Sequence, residues 1–166
     1  MEIPMPATTW NRVYLALNTL HVLAVTLFLG SIVMGIFWKL RSDRTADPRI
    51  IAYTLEGMVR AYRWLTLPSA VLVALFGFAM VYVGDVRLGF SWIILGVAML
   101  TVSVAALVGG VAPVQRRMLA LLRSAGGGAT FDRAAYERLT DRWRIWVLVA
   151  TTPPVVAVFL MVFKPL

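Results

Sequence analysis

The chain is 166 residues long and 60% apolar, with a mean hydropathy of +0.81, where soluble domains have an apolar share of roughly 45–50%. Those values place it in a membrane, at a size that suits one domain over residues 1–166 rather than two. The absence of cysteine excludes disulfides, thiolate-held zinc or iron–sulfur centres, cysteine nucleophiles and covalently attached c-type haem, while a formal charge of +8 must be explained by where the basic residues lie.

In chain order, Met1 to Thr9 reads as an extended lead-in with Pro4 and Pro6, and it lacks the basic start of a secretory signal. Val13–Trp38 follows, a run without one formal charge and longer than the ~20 apolar residues a spanning helix needs. After the charged loop Lys39 to Arg49, Asp47-Pro48 has the form of an N-cap with proline at the first helical position. A helix from there through the second span, Trp64–Val83, would be about 54 Å long, beyond the ~30 Å hydrocarbon core. Its first turns must therefore leave the membrane, with Glu56 and Arg60 spaced as an exposed i,i+4 pair and Pro68 placed to bend the helix. Gly84–Ser91 reads as a tight turn, and the third span, Phe90–Val114, is expected to end near Pro113. A basic stretch, a glycine break at Gly126–Gly128 and an amphipathic segment from Phe131 to Arg144 lead into the fourth span, Ile145–Phe163. There, Pro153 and Pro154 free carbonyls that neighbouring helices, Thr151 or Thr152 must satisfy.

These elements predict an all-α fold, an integral membrane four-helix bundle with cytoplasmic amphipathic helices before spans two and four. Lysine and arginine are concentrated in the two long loops, against only Arg12, Arg87 and Lys164 on the other side, so both termini are expected outside and both loops in the cytoplasm. Trp10, Trp38, Trp64, Trp92, Trp143 and Trp146 all fall at the ends of spans, where amphipathic rings prefer to sit. The basic surplus is then an orientation signal and a contact for anionic lipid, not a nucleic-acid surface.

The sole histidine, His21, lies in the middle of the first span, where a polar ring must face protein, cofactor or a wet cavity. Helical spacing places Asn18, Tyr14 and Asn11 before it, and Phe28 after it, on one face. An imidazole opposite a thioether suits haem or copper. By depth at 1.5 Å per residue, Met99 of span three, about 13 Å from Phe90, matches His21 better than Met80 of span two. Haem b ligated by His21, with Tyr14 and Phe28 lining the ring, would support electron transfer or quinone-linked oxidation. Against this stands a structural histidine hydrogen-bonded across the bundle in a non-catalytic accessory subunit, and a third reading is copper handling. Small residues at Thr26, Gly30, Ser31, Gly35 and Gly109-Gly110 are expected where helices meet, within a homo-oligomer or a larger complex.

The stretches around Leu20-His21, Phe37-Trp38-Lys39-Leu40 and Gln115-Arg116-Arg117-Met118 resemble a family of predicted bacterial integral membrane proteins, domain of unknown function 2269, along nearly the whole chain. That resemblance implies a four-helix fold in the bacterial inner membrane and no established activity. The spacing Leu20-His21 to Phe28-Leu29-Gly30 is also similar to helix one of the HemJ-type protoporphyrinogen oxidases and of CopD-type copper-resistance domains. The first of these implies haem b on His21 with a helix-two methionine, here Met80. HemJ-type proteins continue after the glycine with Pro-Arg and a second histidine, where this chain reads SIVMGIFWKLRSDR.

Overall fold

A long uncharged run cannot cross lipid as a loop, because lipid offers no partner to a peptide N–H or C=O, whereas a helix satisfies both within its own segment. The computed structural model describes residues 7–84, 91–126 and 131–163, and the regular structure among them is all helical. Four stretches are long and apolar enough to span a membrane: Thr9–Asp43, Pro48–Val83, Trp92–Ser124 and Arg133–Phe163. Of the lead-in expected to be extended, residues 1–6, with Pro4 and Pro6, lie outside the described residues and residues 7–9 are instead helical, while most of the turn after Gly84 and most of the glycine break also lie outside the described residues.

The first stretch is α1 (Ala7–Asp43). It ends in a short turn where Ala46 takes a positive φ of 53°, and Asp47 then caps α2 (Pro48–Ala61) by accepting from the Arg49 N–H at 2.8 Å. The expected N-cap and first-turn proline are thus both in place. α2 runs through a π-turn, Tyr62–Thr66, into α3 (Leu67–Val83), so helix two is continuous over 36 residues, about 54 Å, longer than the ~30 Å hydrocarbon core. The third stretch corrects the expected boundary: α4 (Ser91–Ala106) does not stop at Pro113 but passes through a second π-turn, Leu107–Val111, into α5 (Ala112–Gly126). α6 (Arg133–Phe163) completes the fold.

Both π-turns have one cause. Leu67 N–H bonds Tyr62 O and Ala112 N–H bonds Leu107 O, and the next residue in each case is a proline, Pro68 or Pro113. A proline in an α-helix lacks the donor and drives its ring toward the carbonyl four residues back. Widening the preceding turn by one residue makes room for that ring, and the helix carries on. α6 handles Pro153 and Pro154 differently. Pro154 cannot bond the Ala150 carbonyl, and Ser103 of α4, fully buried, donates its hydroxyl to that oxygen at 2.6 Å. Thr151 turns back to Val147 O instead.

The helices pair as α1 with α3 and α4 with α6, and the two pairs join through a common core of Phe28, Ile32, Ala70, Leu107, Val147 and Ala150. At the basic end, α2 and α5 pack together through Ile51 and Leu55 on one side and Met118, Leu119 and Leu122 on the other. Here the expected Glu56–Arg60 pair gives way to a longer-range one: Arg123 of α5 reaches Glu56 Oε1 at 2.7 Å. Trp143 departs from its interfacial expectation and is a core residue, 2% exposed. Among the small residues expected at contacts, Gly35 faces Met58 and Gly110 lies under the Trp146 indole, whereas Gly30 and Gly109 face open space.

The two adjacent glycines give a matched test. A Cβ on Gly110 would run into the rigid Trp146 ring, so Gly110→Ala is expected to cost about 1–3 kcal/mol. Gly109→Ala, with nothing within 4 Å of the new methyl, is expected to be neutral or slightly stabilising. Thermal unfolding of the two variants in one detergent separates them.

Candidate functional site

His21 sits on the inward stripe of α1, with Tyr14, Leu17, Ala24 and Phe28 at helical spacing on the same side; Phe28 is 1% exposed and Tyr14 half-buried. Asn11 and Asn18 fall outside that stripe and are exposed. The imidazole crosses to α3, where Nδ1 lies 3.0 Å from the Val73 carbonyl oxygen. A carbonyl can only accept, so Nδ1 carries the proton and donates, and Nε2 keeps its lone pair. Among the described residues Nε2 has no hydrogen-bond partner. Gly77, one turn beyond Val73, makes the approach possible: a Cβ there would come 3.2 Å from His21 Cε1.

The two methionines fall differently. Met80 is on α3 three residues after Gly77, hence on the face that meets α1 and about one turn beyond the point where the imidazole meets α3. Met99 is half-buried on α4, none of whose Cα atoms comes within 8 Å of one in α1. His21, Gly77 and Val73 thus close the α1–α3 interface at this level. No group of three or more His, Cys, Asp or Glu gathers among the described residues.

At the basic end lies a cluster that reading by residue type missed. Lys39 is 0% exposed although it is one residue beyond the first span. Its ammonium pairs with Asp43, which also accepts from the Tyr136 hydroxyl at 2.7 Å. Two aromatic faces cover the cation, Tyr136 at 5.1 Å and Trp143 at 5.3 Å from ring centre to Nζ. A buried ammonium needs such compensation, because burying an unpaired charge costs several kcal/mol. The available signal was Lys39 and Asp43 at i,i+4; Tyr136 and Trp143 come from about a hundred residues further along the chain.

Between the helix pairs, toward the same end, is a half-open cavity of about 620 Å³. Both π-turns wall it, the first through Tyr62, Leu65 and Thr66, the second through Leu107 and Val111. α1 contributes Ser31 and Gly35, α5 contributes Gln115, and α6 contributes Trp143 and Val147. Ser31 donates to the Phe28 carbonyl at 2.8 Å, so the 2.9 Å contact between Ser31 and Thr66 hydroxyls has Thr66 as donor. Three other lining residues hold a buried polar atom without a partner among the described residues: Tyr62 Oη, Gln115 Oε1 and Trp143 Nε1. Native interiors leave few such groups. The mouth is bordered by apolar side chains, with Met34 and Trp38 each about half exposed and Leu65 nearly so, as at an opening toward lipid. Neither π-turn was visible in hydrophobic periodicity, which is why this cavity was not anticipated.

The family model for predicted integral membrane proteins of the domain of unknown function 2269 matches residues 15–165, and the chain belongs to that family. No curated protein and no solved structure matches it.

Removing one partner of the buried pair tests the Lys39 cluster. Lys39→Ala leaves Asp43 with only the Tyr136 hydroxyl and is expected to cost about 3 kcal/mol, since truncating one member of a buried pair costs about 3–5 and Asp43 is 21% exposed. Lys39→Ala combined with Asp43→Asn is expected to recover part of that loss, read as a double-mutant cycle on unfolding in detergent.

Proposed function

We propose that this chain is a ligand-binding membrane protein that takes an amphipathic molecule sideways from the bilayer into the cavity between its helix pairs. One observation carries the reading: a half-open cavity of about 620 Å³, within the 300–1,000 Å³ range of ligand pockets, whose walls combine apolar side chains with a few polar ones and include both π-turns. π-turns inside α-helices occur often at functional sites. On this reading the cavity end, where lysine and arginine are concentrated, faces the cytoplasm, both termini lie outside, and the membrane is the bacterial inner one; the charge bias supports that orientation. Isoprenoid quinones and membrane lipids both have the required shape, a polar head on an apolar chain.

The test is retention. The protein, purified from membranes in mild detergent, is expected to carry a stoichiometric lipid or quinone by mass spectrometry. Gly35→Phe, which projects a ring into the cavity, is expected to reduce that retention at least fivefold, as is Met34→Trp at the mouth. Wild-type protein free of any amphiphile, or both variants retaining it fully, would refute the reading.

A second reading, haem b at His21, is supported by the Nε2 lone pair that the Val73 hydrogen bond leaves open, an arrangement typical of metal-ligating histidines. On this reading His21 would hold the haem through Nε2, Tyr14 and Phe28 stand on the same stripe, and the bound group would supply one-electron chemistry. Of the two methionines, Met80 lies about one turn from Gly77 on the helix that meets α1, whereas Met99 lies on α4, which does not approach α1. Copper handling would use the same lone pair. A Soret band in protein from haem-supplemented cells, lost in His21→Ala, is the expected signature. A colourless protein, with His21→Ala less stable by about 1 kcal/mol, would assign the histidine to the α1–α3 hydrogen bond alone.

A further inference from the structure

Resting on the cavity reading above, we infer that the ligand is an anionic phospholipid, its acyl chain in the cavity and its phosphate on Arg60 at the rim. One carboxylate and one guanidinium border the cavity one helical turn apart on α2, Glu56 and Arg60. Sequence spacing would pair them and leave the rim neutral. Instead Arg123 of α5 takes Glu56, through Nη2 at 2.7 Å and Nε at 3.3 Å. Arg60 is left exposed and without an ion pair among the described residues. Among the described residues Glu56 is also the only acidic one bordering the cavity, so its pairing with Arg123 leaves the Arg60 charge there uncompensated. Arg63, exposed three residues on, carries the same sign.

The layering of the cavity matches a phospholipid. Arg60 and Trp38 border it at one level, and Tyr53, 81% exposed, stands about 10 Å further out along α2, an aromatic and basic composition typical of the headgroup region. About 10 Å deeper, by helical rise along α1 from Trp38 and along α2 from Arg60, come Ser31 and Thr66, whose hydroxyls are bonded to each other. Around that level the lining is Ile32, Leu107, Val111 and Val147, suited to an acyl chain. A quinone carbonyl would gain a single uncharged-acceptor hydrogen bond from Arg60, and in a choline head the cationic end offsets part of what its phosphate gains there. An anionic phosphate gains a charge-assisted contact at a site already open to lipid.

The experiment compares phosphatidylglycerol and phosphatidylcholine of identical acyl chains, offered to delipidated wild-type protein and to Arg60→Gln, Arg60→Lys and Arg117→Gln, with bound lipid counted by native mass spectrometry. Arg117 is exposed on α5 and does not border the cavity, so it reports diffuse charge. Wild-type protein is expected to prefer phosphatidylglycerol about fivefold, the weight of one basic residue on an anionic head. Arg60→Gln is expected to abolish the preference by weakening phosphatidylglycerol more than phosphatidylcholine, Arg60→Lys to restore most of it, and Arg117→Gln to leave it unchanged. Equal binding of the two lipids by wild-type protein, or equal losses in Arg60→Gln and Arg117→Gln, would overturn the headgroup assignment while the cavity reading stands. Failure to hold either lipid would overturn both.

Discussion

A bilayer supplies no hydrogen bond to a peptide group, and this chain places Pro68, Pro113, Pro153 and Pro154 inside its long apolar helices. Each proline removes a donor and crowds a carbonyl, so each has to be compensated inside the protein. Two solutions are used. Ahead of Pro68 and Pro113 the helix widens into a π-turn, and at Pro154 the neighbouring helix sends a serine hydroxyl to the Ala150 carbonyl. The second solution also ties α4 to α6. Its counterpart in the other helix pair is His21, whose Nδ1–H reaches the Val73 carbonyl across α1 and α3. In each pair a single side-chain donor on one helix bonds a backbone oxygen of the next. Such bonds are worth well under 2 kcal/mol in membranes, and their geometry sets the rotation of each helix against its neighbour.

The π-turns do more than accommodate prolines. Inserting a residue into the turn shifts every later side chain around the helix axis by about 100° relative to an unbroken helix. Thr66 and Val111 thereby border the space between the helix pairs, and the cavity opens there. The opposite choice is made at the basic end. Lys39 is sealed beneath Tyr136 and Trp143 and paired with Asp43, which joins the end of α1 to the start of α6. Paired and covered charge below an open cavity gives the bundle a closed floor and an adaptable middle. The captured Glu56 belongs to the same economy, since its bond to Arg123 fastens α2 to α5 and leaves Arg60 free at the rim.

Much of the architecture can be read from residue order alone. Four uncharged runs require four helices, Asp47-Pro48 marks a helix start, and the length of Pro48–Val83 requires an overshoot, because hydrophobic thickness and helical rise are properties of any chain in any bilayer. The cost of burying an imidazole singles out His21 in the same way. What residue order could not reveal is partner choice. That Glu56 would bond Arg123 and not Arg60, that Ser103 rather than Thr151 would serve Ala150 O, and that Gly77 and not Gly30 would admit a neighbouring side chain all depend on which helix faces are brought together. Periodicity at 3.6 residues per turn also cannot register a π-turn, and an error of one residue there misplaces a whole face. Asn18 stays exposed although it is three residues from His21, because the buried stripe of α1 follows the packing of α3 and not the polarity of its own residues. The sequence by itself therefore determined the spans, their caps and the uneven charge, all set by local chemistry and the thickness of lipid. Only the tertiary structure decided the cavity, the buried Lys39 and the free Arg60, because each is a relation between side chains on helices far apart along the chain.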